Sequence, residues 1–195
     1  MSPGLCDTHH GATTSPLPLL LMRHAQPLIA GGVCYGATDI EADAGATQLA
    51  ARQLAPLLAT GTQLWCSPLR RCLQLAQGLR ALRPDLPFRQ DDRLAEMDFG
   101  DWEGWRWSDI PQAELDAWTA QFWQLRFGGR ESVAELMCRV GAAWRDARAS
   151  PLPVAWVTHA GVIRAARLWA QGVTKLQDAG GWPLDAPGFG GHTLL

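Results

Sequence analysis

The chain has 195 residues, of which 47% are hydrophobic, and its formal net charge is −2 at pH 7. This length is enough for one domain whose continuous core needs no disulfide or metal to hold it together. The near-neutral charge excludes a general basic field for nucleic acid, and the composition excludes an intrinsically disordered chain. Any site for an anion must therefore use a few placed arginines.

The first 16 residues contain glycine, serine, threonine and proline, and they predict a flexible N-terminal tail ahead of one domain over residues 17–195. The adjacent His9 and His10 could in principle bind a metal, but a disordered tail is favoured. The apolar patch at residues 17–22 is too short to span a bilayer, and no charged start of a signal peptide precedes it. Five cysteines without a C-x-x-C pair argue against a disulfide framework and a zinc site. We therefore expect a cytoplasmic protein with no membrane partner.

The first predicted element is a short apolar strand that runs directly into His24. Residues 25–44 are rich in glycine and proline and predict a long loop, and such loops in compact domains are usually functional. A helix is predicted over residues 46–58, with Pro56 marking a kink or an early end. A second strand follows at residues 63–66.

The next helix is predicted to begin with Ser67 as its N-cap and Pro68 in its first turn, because helix starts prefer these residue types. A third strand is predicted over residues 86–89, ahead of a turn-rich segment at 96–104. Residues 105–127 hold several tryptophans among polar residues and predict helices that pack over the sheet.

Ser132 and Glu135 form the sequence signature of a capping box, and apolar residues at helical spacing follow them. A strand is predicted over residues 154–158, leading into His159 and then a helix over 162–170. Strands that alternate with helices predict an α/β fold. We expect a single-domain three-layer sandwich, with a mostly parallel sheet and helices on both faces. The Gly- and Pro-rich C-terminus receives no predicted role.

Side chains that could bind an anion or take part in acid–base or nucleophilic catalysis lie at the predicted strand ends and in the adjoining loops. They are Arg23, His24, Arg70, Arg71, Glu96 and His159. The planar fork of arginine suits phosphate, histidine can act as a nucleophile, and a carboxyl group can protonate a leaving alkoxide. A phosphate ester is therefore the expected ligand, with no metal and no other cofactor. Each residue alone also fits a structural role, as a core histidine or a solvated loop carboxylate.

Four segments of the chain resemble the signature blocks of a known family. They are residues 21–25 (LMRHA), 66–72 (CSPLRRC), 94–104 (LAEMDFGDWEG) and 157–161 (VTHAG). These blocks are similar, in the same order, to those of the histidine phosphatase superfamily, the phosphoglycerate mutase-like proteins. The resemblance covers nearly the whole chain from residue 17 to residue 170.

The resemblance implies a metal-independent phosphomonoester hydrolase that works through a phosphohistidine intermediate. It implies that His24 is phosphorylated, that Arg23 and Arg71 hold the phosphoryl group, and that His159 completes the pocket. Glu96 would be the proton donor and would later act as the base for water. A small-molecule phosphate ester is the implied partner.

One position of the family pattern could be assigned to either of two arginines, and two other positions depart from the pattern. Arg71 is chosen over Arg70 because the family block runs Ser-Pro-Leu, any residue, then Arg; Arg70 would then be a surface residue. The chain has Ala25 where glycine is common, and Ala30 where an asparagine is frequent. The loss of that asparagine removes one expected phosphate contact, so the rate or the substrate could differ.

Residues 32–39 (GVCYGATD) resemble the Cys-Tyr-Gly-x-x-Asp loop of short bacterial α-ribazole phosphatases of cobalamin biosynthesis. This resemblance implies α-ribazole 5'-phosphate as the substrate. Tyr35 and Trp105 are the expected substrate-pocket residues, the tryptophan as part of a wall for a planar base. Four alternatives stay open: a broad-specificity small-molecule phosphatase, a phosphoglycerate mutase-like enzyme, a phosphoprotein or phosphohistidine phosphatase, and a non-catalytic module that binds a phosphate ligand. A homodimer also stays open.

Overall fold

The computed structural model describes residues 17–195, and the predicted N-terminal tail with His9 and His10 lies outside them. In the described part, one sheet contains five strands: β1 (Leu19–Arg23), β2 (Gln63–Cys66), β3 (Phe88–Gln90), β4 (Val154–Thr158) and β5 (His192–Leu194). Their order across the sheet is β3-β2-β4-β1-β5. The first four strands are parallel, and β5 pairs antiparallel with β1 at one edge. The predicted mostly parallel sheet is confirmed.

Five α-helices accompany the sheet in this part of the chain. They are α1 (Ala44–Leu54), α2 (Arg70–Leu82), α3 (Gln112–Ala120), α4 (Val133–Ala149) and α5 (Ala160–Ala170). Short 3-10 turns occur at Ala55–Leu57, Asp92–Leu94, Gly100–Trp102 and Ala179–Gly181. None of the helices formed by residues 17–195 has the length and apolar character needed to cross a membrane.

The alternation of side chains along the strands explains the layers. In β1, Leu20 and Met22 join the core on one face of the sheet, while Leu19 and Leu21 join the core on the other. The first core also contains the apolar sides of α1 and α2, and the second those of α4 and α5. Because both faces of the sheet are apolar, both must be covered. This confirms the three-layer sandwich.

Three helix boundaries differ from the sequence prediction. α1 ends at Leu54 and continues as a 3-10 turn that contains Pro56, as expected for a residue that lacks a backbone N–H. The prediction that Ser67 caps α2 is wrong, because the helix begins at Arg70 and Leu69 is its N-cap, without a side-chain cap. α5 begins earlier than predicted, at Ala160.

The capping box of α4 is confirmed. The Ser132 hydroxyl accepts from the Glu135 backbone N–H at 3.3 Å, and the Glu135 carboxylate accepts from the Ser132 backbone N–H at 2.9 Å. The C-terminal Gly- and Pro-rich segment, by contrast, forms a strand that the sequence did not indicate. β5 adds to β1, the strand that ends immediately before His24.

Candidate active site

The two strand-end histidines lie side by side at the carboxyl edge of the sheet. β1 and β4 are neighbours, and the His24 backbone N–H donates to the Thr158 carbonyl at 3.0 Å. The ring centroids of His24 and His159 are 5.1 Å apart. Parallel strands end at the same edge of a sheet, which is why residues far apart in sequence meet there.

His24 is held as a neutral imidazole with a defined tautomer. Its side chain is buried, and Nδ1 lies 2.7 Å from the Ala25 carbonyl oxygen, which can only accept a hydrogen bond. Nδ1 therefore carries the hydrogen and Nε2 carries the lone pair. Burial, and next the charge of Arg71, lower the pKa of His24 to about 3. The ring is thus a free nucleophile at neutral pH.

His159 is the fully buried N-cap residue of α5. Its Nε2 lies 2.7 Å from the Ser67 hydroxyl oxygen and 3.4 Å from the Cys72 Sγ. Burial, followed by the charge of Arg71, lowers the pKa of His159 well below its ordinary value. Ser67, which does not cap a helix, therefore orients this imidazole.

Arg23 and Arg71 each keep a side-chain donor that no residue in the described part of the chain accepts. Arg71 is fully buried and donates through its terminal nitrogens to the Thr38 carbonyl at 2.8 Å and the Gly36 carbonyl at 2.6 Å. Arg23 donates to the Pro187 carbonyl at 2.9 Å. The Nε atoms of both arginines are buried and have no hydrogen-bond partner among residues 17–195. Buried N–H groups of this kind suit the oxygens of a bound phosphoryl group.

Tyr35 lies against these arginines. The Arg71 Cζ is 5.4 Å from the centroid of the Tyr35 ring. Burial raises the pKa of Tyr35, and the charges of Arg23 and Arg71 only partly offset this effect. The structure therefore brings Tyr35 to the same site as the histidines.

Glu96 is fixed by two backbone donors, one of which lies at the start of α5. One carboxylate oxygen accepts from the Gly161 N–H at 3.0 Å, and the other accepts from its neighbour Met97 at 3.1 Å. Arg139 of α4 donates to the Glu96 carbonyl at 3.1 Å and to the Ala95 carbonyl at 2.6 Å. The carboxyl group is thus held by the HAG segment that also contains His159.

Glu103 is a site residue that the sequence reasoning missed. Its carboxylate accepts from the backbone N–H groups of Ala37 at 2.7 Å, Thr38 at 2.6 Å and Phe99 at 3.0 Å, and from the Thr38 hydroxyl. Burial raises the pKa of Glu103, but these hydrogen bonds outweigh it and keep the pKa below its ordinary value. Glu103 thereby holds in place the loop whose carbonyl oxygens accept hydrogen bonds from Arg71. Its position in the 94–104 block was the available signal.

The C-terminal segment is the second feature that was missed. The Phe189 ring centroid is 4.0 Å from the Arg23 Cζ and 5.5 Å from the His24 ring centroid. The Gly190 N–H donates to the His24 carbonyl at 2.9 Å. Residues 187–191 therefore form one wall of the site, more than 160 positions after His24 in the chain. Only the glycine and proline content of this segment distinguished it in the sequence.

The structure does not bring Trp105 to the site. The side chain is 48% exposed, and its ring meets the edge of Trp102 with centroids 5.4 Å apart. A cavity of about 230 Å³ does lie beside Glu96, and Trp107 lines it instead. We call this space the aromatic cavity; its aromatic lining residues are Phe99, Trp107, Trp118, Phe122 and Trp182.

The remaining predicted positions are readily placed. Arg70 is a surface residue, as expected, and forms ion pairs with Asp39 at 3.5 Å and Glu41 at 2.8 Å. Ala25 is buried in the core next to α1 and α2, so its methyl group is accommodated beside the nucleophile. Ala30 is exposed.

Together these groups form a site suited to phosphoryl transfer. A neutral imidazole nitrogen, two guanidinium donors and a carboxyl group converge at one sheet edge, where preorganised donors can stabilise charge on phosphoryl oxygens. Within residues 17–195, no group of three or more histidine, cysteine, aspartate or glutamate side chains is placed to hold a metal ion.

Comparisons with known proteins agree with this geometry. The sequence profile of the histidine phosphatase superfamily (branch 1) matches residues 19–184. No curated protein matches the sequence. Among solved structures, a mycobacterial glucosyl-3-phosphoglycerate phosphatase is similar, with 27% identity, a TM-score of 0.76, and coverage of 92% of this chain and 90% of that one. The same enzyme with VO3 gives 26% identity, a TM-score of 0.74, and coverage of 91% and 92%.

A third similar structure is TTHB049 from Thermus thermophilus. It shares 26% identity with this chain at a TM-score of 0.68, and the match covers 92% of this chain and 93% of that one. The similarity therefore extends over nearly the full length of both proteins.

Acidification should destabilise the protein through His24 and His159. Because both pKa values are lowered in the folded state, the unfolded chain binds protons that the folded chain does not, below about pH 6.5. The free energy of unfolding should therefore fall as the pH drops from 7 to 5, by up to about 1.4 kcal/mol per pH unit for each histidine. Urea unfolding at pH 7, 6 and 5 measures this slope.

The variant His24→Gln should reduce the slope, and the surface variant His192→Gln serves as its control. A slope that stays the same in both His24→Gln and His159→Gln would contradict the assignment.

Proposed function

Because the chain belongs to the histidine phosphatase superfamily, we propose that it is a metal-independent phosphomonoester hydrolase that works through a phosphohistidine intermediate on His24. That the chain is a phosphatase follows from the family and the similar phosphatase structures. One observation carries the mechanism: the buried His24 donates through Nδ1 to the Ala25 carbonyl, so that Nε2 is free to attack. The Nε atoms of Arg23 and Arg71, for which residues 17–195 provide no acceptor, support it.

In the first step, the Nε2 lone pair of His24 forms a bond to phosphorus while the bond from phosphorus to the ester oxygen breaks. The proton of the Glu96 carboxyl group passes to the leaving alkoxide. Arg23 and Arg71 donate hydrogen bonds to the phosphoryl oxygens, where charge is greatest. His159, whose ring lies beside His24, completes the pocket.

In the second step, water attacks the phosphohistidine and the bond from phosphorus to Nε2 breaks. The Glu96 carboxylate accepts a proton from that water, which restores the acid for the next cycle. Inorganic phosphate leaves and His24 returns to its neutral form. The Glu96 carboxylate is held in place by a backbone N–H of α5, which is consistent with this exchange of roles.

Replacing His24 with asparagine should abolish hydrolysis of p-nitrophenyl phosphate. The variant keeps a donor for the Ala25 carbonyl but lacks the nucleophile, so kcat should fall by about a thousandfold or more. Wild-type activity should survive excess EDTA, and mass spectrometry after an alkaline quench should detect a phosphoryl group on the wild type alone. His192→Gln is the matched control.

Activity that disappears with EDTA and returns with magnesium would refute this mechanism. No turnover by the wild type above the His24→Asn background would instead favour the non-catalytic binding module.

Substituting Gly161 by alanine should disturb Glu96 while leaving the fold intact. The added Cβ would collide with the Glu96 carboxylate, which must then move from its place by the Gly161 N–H. We expect kcat to fall by about ten- to a hundredfold, because misplacing a proton donor costs part of the general acid contribution. Steady-state kinetics and thermal unfolding measure both properties. The control variant Gly31→Ala, where an added Cβ meets open space, should have wild-type kinetics. A similar loss of kcat in Gly31→Ala would contradict the explanation through Glu96.

We further propose α-ribazole 5'-phosphate as the substrate. The loop that resembles the α-ribazole phosphatases is tied to the phosphate site, because the Gly36 carbonyl accepts from Arg71 and the Tyr35 ring lies over the same guanidinium. Gly36 has no room for a side chain, since a Cβ would collide with the Met97 carbonyl. The loop is therefore built into the site, which supports a role in substrate choice.

A panel of phosphate esters tests this substrate directly. We expect kcat/KM for α-ribazole 5'-phosphate to exceed that for 3-phosphoglycerate, glucose 6-phosphate and glucosyl-3-phosphoglycerate, the ester in the name of the mycobacterial enzymes, by about a hundredfold. Similar values for all esters would indicate a broad-specificity phosphatase. Faster hydrolysis of glucosyl-3-phosphoglycerate, or isomerisation of phosphoglycerate, would overturn the proposal in favour of those activities.

A further inference from the structure

The aromatic cavity borders the proposed site at Glu96. Glu96, the proposed proton donor, lines it together with Gly161, the residue whose N–H holds the Glu96 carboxylate. An ester oxygen close enough to take a proton from Glu96 has its carbon substituent on the same side. The alcohol part of the substrate therefore lies within reach of this cavity, which offers it an apolar surface, whereas the other cavity beside Glu96 is lined by charged residues such as Glu131 and Arg139.

The aromatic side chains that line the cavity pack against one another and against neighbouring rings. Trp118 stacks on Phe127 with centroids 4.4 Å apart and an interplanar angle of 18°. Phe99 meets Trp118 edge-on at 6.3 Å, and Trp182 meets Phe122 at 6.0 Å. Rings packed in this way are stiff, so the 230 Å³ space is preformed. The side chains that line the cavity make no van der Waals contacts on the side that faces the empty space. A flat apolar group in the cavity would supply those contacts.

Two hydrogen-bond donors in the cavity lining also lack acceptors. The Trp118 Nε1 and the Arg164 Nε are buried and have no partner within residues 17–195. The side-chain N–H of a buried tryptophan usually finds an acceptor. Burial is the largest cause of the lowered pKa of Arg23, and the charges of Tyr35 and Glu96 oppose it. The charge of Arg164 also helps to lower that pKa, because Arg164 lies near the phosphate end of the site.

We infer that the aromatic cavity binds an aromatic ring on the alcohol part of the substrate, and that this ring carries an acceptor for the Trp118 Nε1 hydrogen. The inference rests on the proposed phosphatase mechanism, in which Glu96 faces the leaving group. The ring displaces water from five aromatic side chains, and its acceptor pairs with the buried Nε1 hydrogen of the partly exposed Trp118. The cavity thus selects esters by shape and by a single hydrogen bond.

Three synthetic esters separate these contributions: ethyl phosphate, 2-(indol-1-yl)ethyl phosphate and 2-(benzimidazol-1-yl)ethyl phosphate. All three release primary alcohols of similar acidity, so differences in kcat/KM report on binding of the ring. The two bicyclic rings have nearly the same shape, but only benzimidazole has an acceptor nitrogen. We expect the indolyl ester to exceed ethyl phosphate by about tenfold or more, and the benzimidazolyl ester to exceed the indolyl ester by about fivefold or more.

Two variants assign these effects to the cavity. Trp118→Phe keeps a ring but removes the N–H, so it should abolish the preference for benzimidazole over indole and retain most of the preference for indole over ethyl. Val133→Phe places a ring in the cavity and should lower kcat/KM for both bicyclic esters while ethyl phosphate is unaffected. Trp105→Phe changes a tryptophan that does not line the cavity; it is the matched control and should behave as the wild type.

The outcomes distinguish this inference from the mechanism on which it rests. Equal kcat/KM values for the three esters, with activity still dependent on His24, would overturn the inference alone. An unchanged preference for benzimidazole over indole in Trp118→Phe would also overturn the inference alone. This test does not depend on whether Val133→Phe folds. The absence of any hydrolysis dependent on His24 would overturn both.

Discussion

The guanidinium of Arg71 is a full positive charge with no exposure to solvent, and the candidate site is organised around it. Two carbonyls of the loop at residues 36–38 receive its terminal nitrogens, and Glu103 holds that loop through its backbone N–H groups. A buried charge is tolerated only when polar groups surround it. The backbone of this loop supplies those groups, and the Nε atom of Arg71, which has no partner within residues 17–195, can donate to an anion.

Burial and the same charge together keep the histidines unprotonated. Burial is the largest cause of the low pKa of His24 and of His159, and Arg71 is the next in each case. A site that keeps its nucleophile neutral and its cations charged favours an incoming phosphate ester, since that ligand brings the negative charge that the site lacks. The fixed Nδ1 hydrogen of His24 then directs the reactive nitrogen.

Distant segments complete the site because the sheet brings their ends together. β1 and β4 deliver the two histidines, α5 fixes Glu96 through Gly161, and the C-terminal residues 187–191 return to cover Arg23. The aromatic residues between positions 99 and 127 fold beside the sheet edge and leave the cavity next to Glu96. Each segment contributes one wall of the site.

The sequence predicted the sandwich, the strand ends and the grouping of His24, His159, Arg71 and Glu96, because these depend on local periodicity and on four short blocks. It was wrong about the cap of α2. The hydrogen-bonding capacity of Ser67 was visible, but its contact with His159 was not. The position of Glu103 in the 94–104 block and the composition of the C-terminal segment were visible, but the roles of Glu103 and Phe189 depend on contacts between residues far apart in the chain, which no local pattern specifies.

From the amino-acid sequence alone, one can determine the fold class and which residue types carry the chemistry, because hydrophobic period and short motifs are local properties. Only the tertiary structure decides which tryptophan meets the site. Trp105 and Trp107 are two positions apart and equally aromatic, yet one is exposed and the other lines the cavity. That choice follows from the direction in which each side chain leaves the folded backbone, and from the packing of distant rings around it.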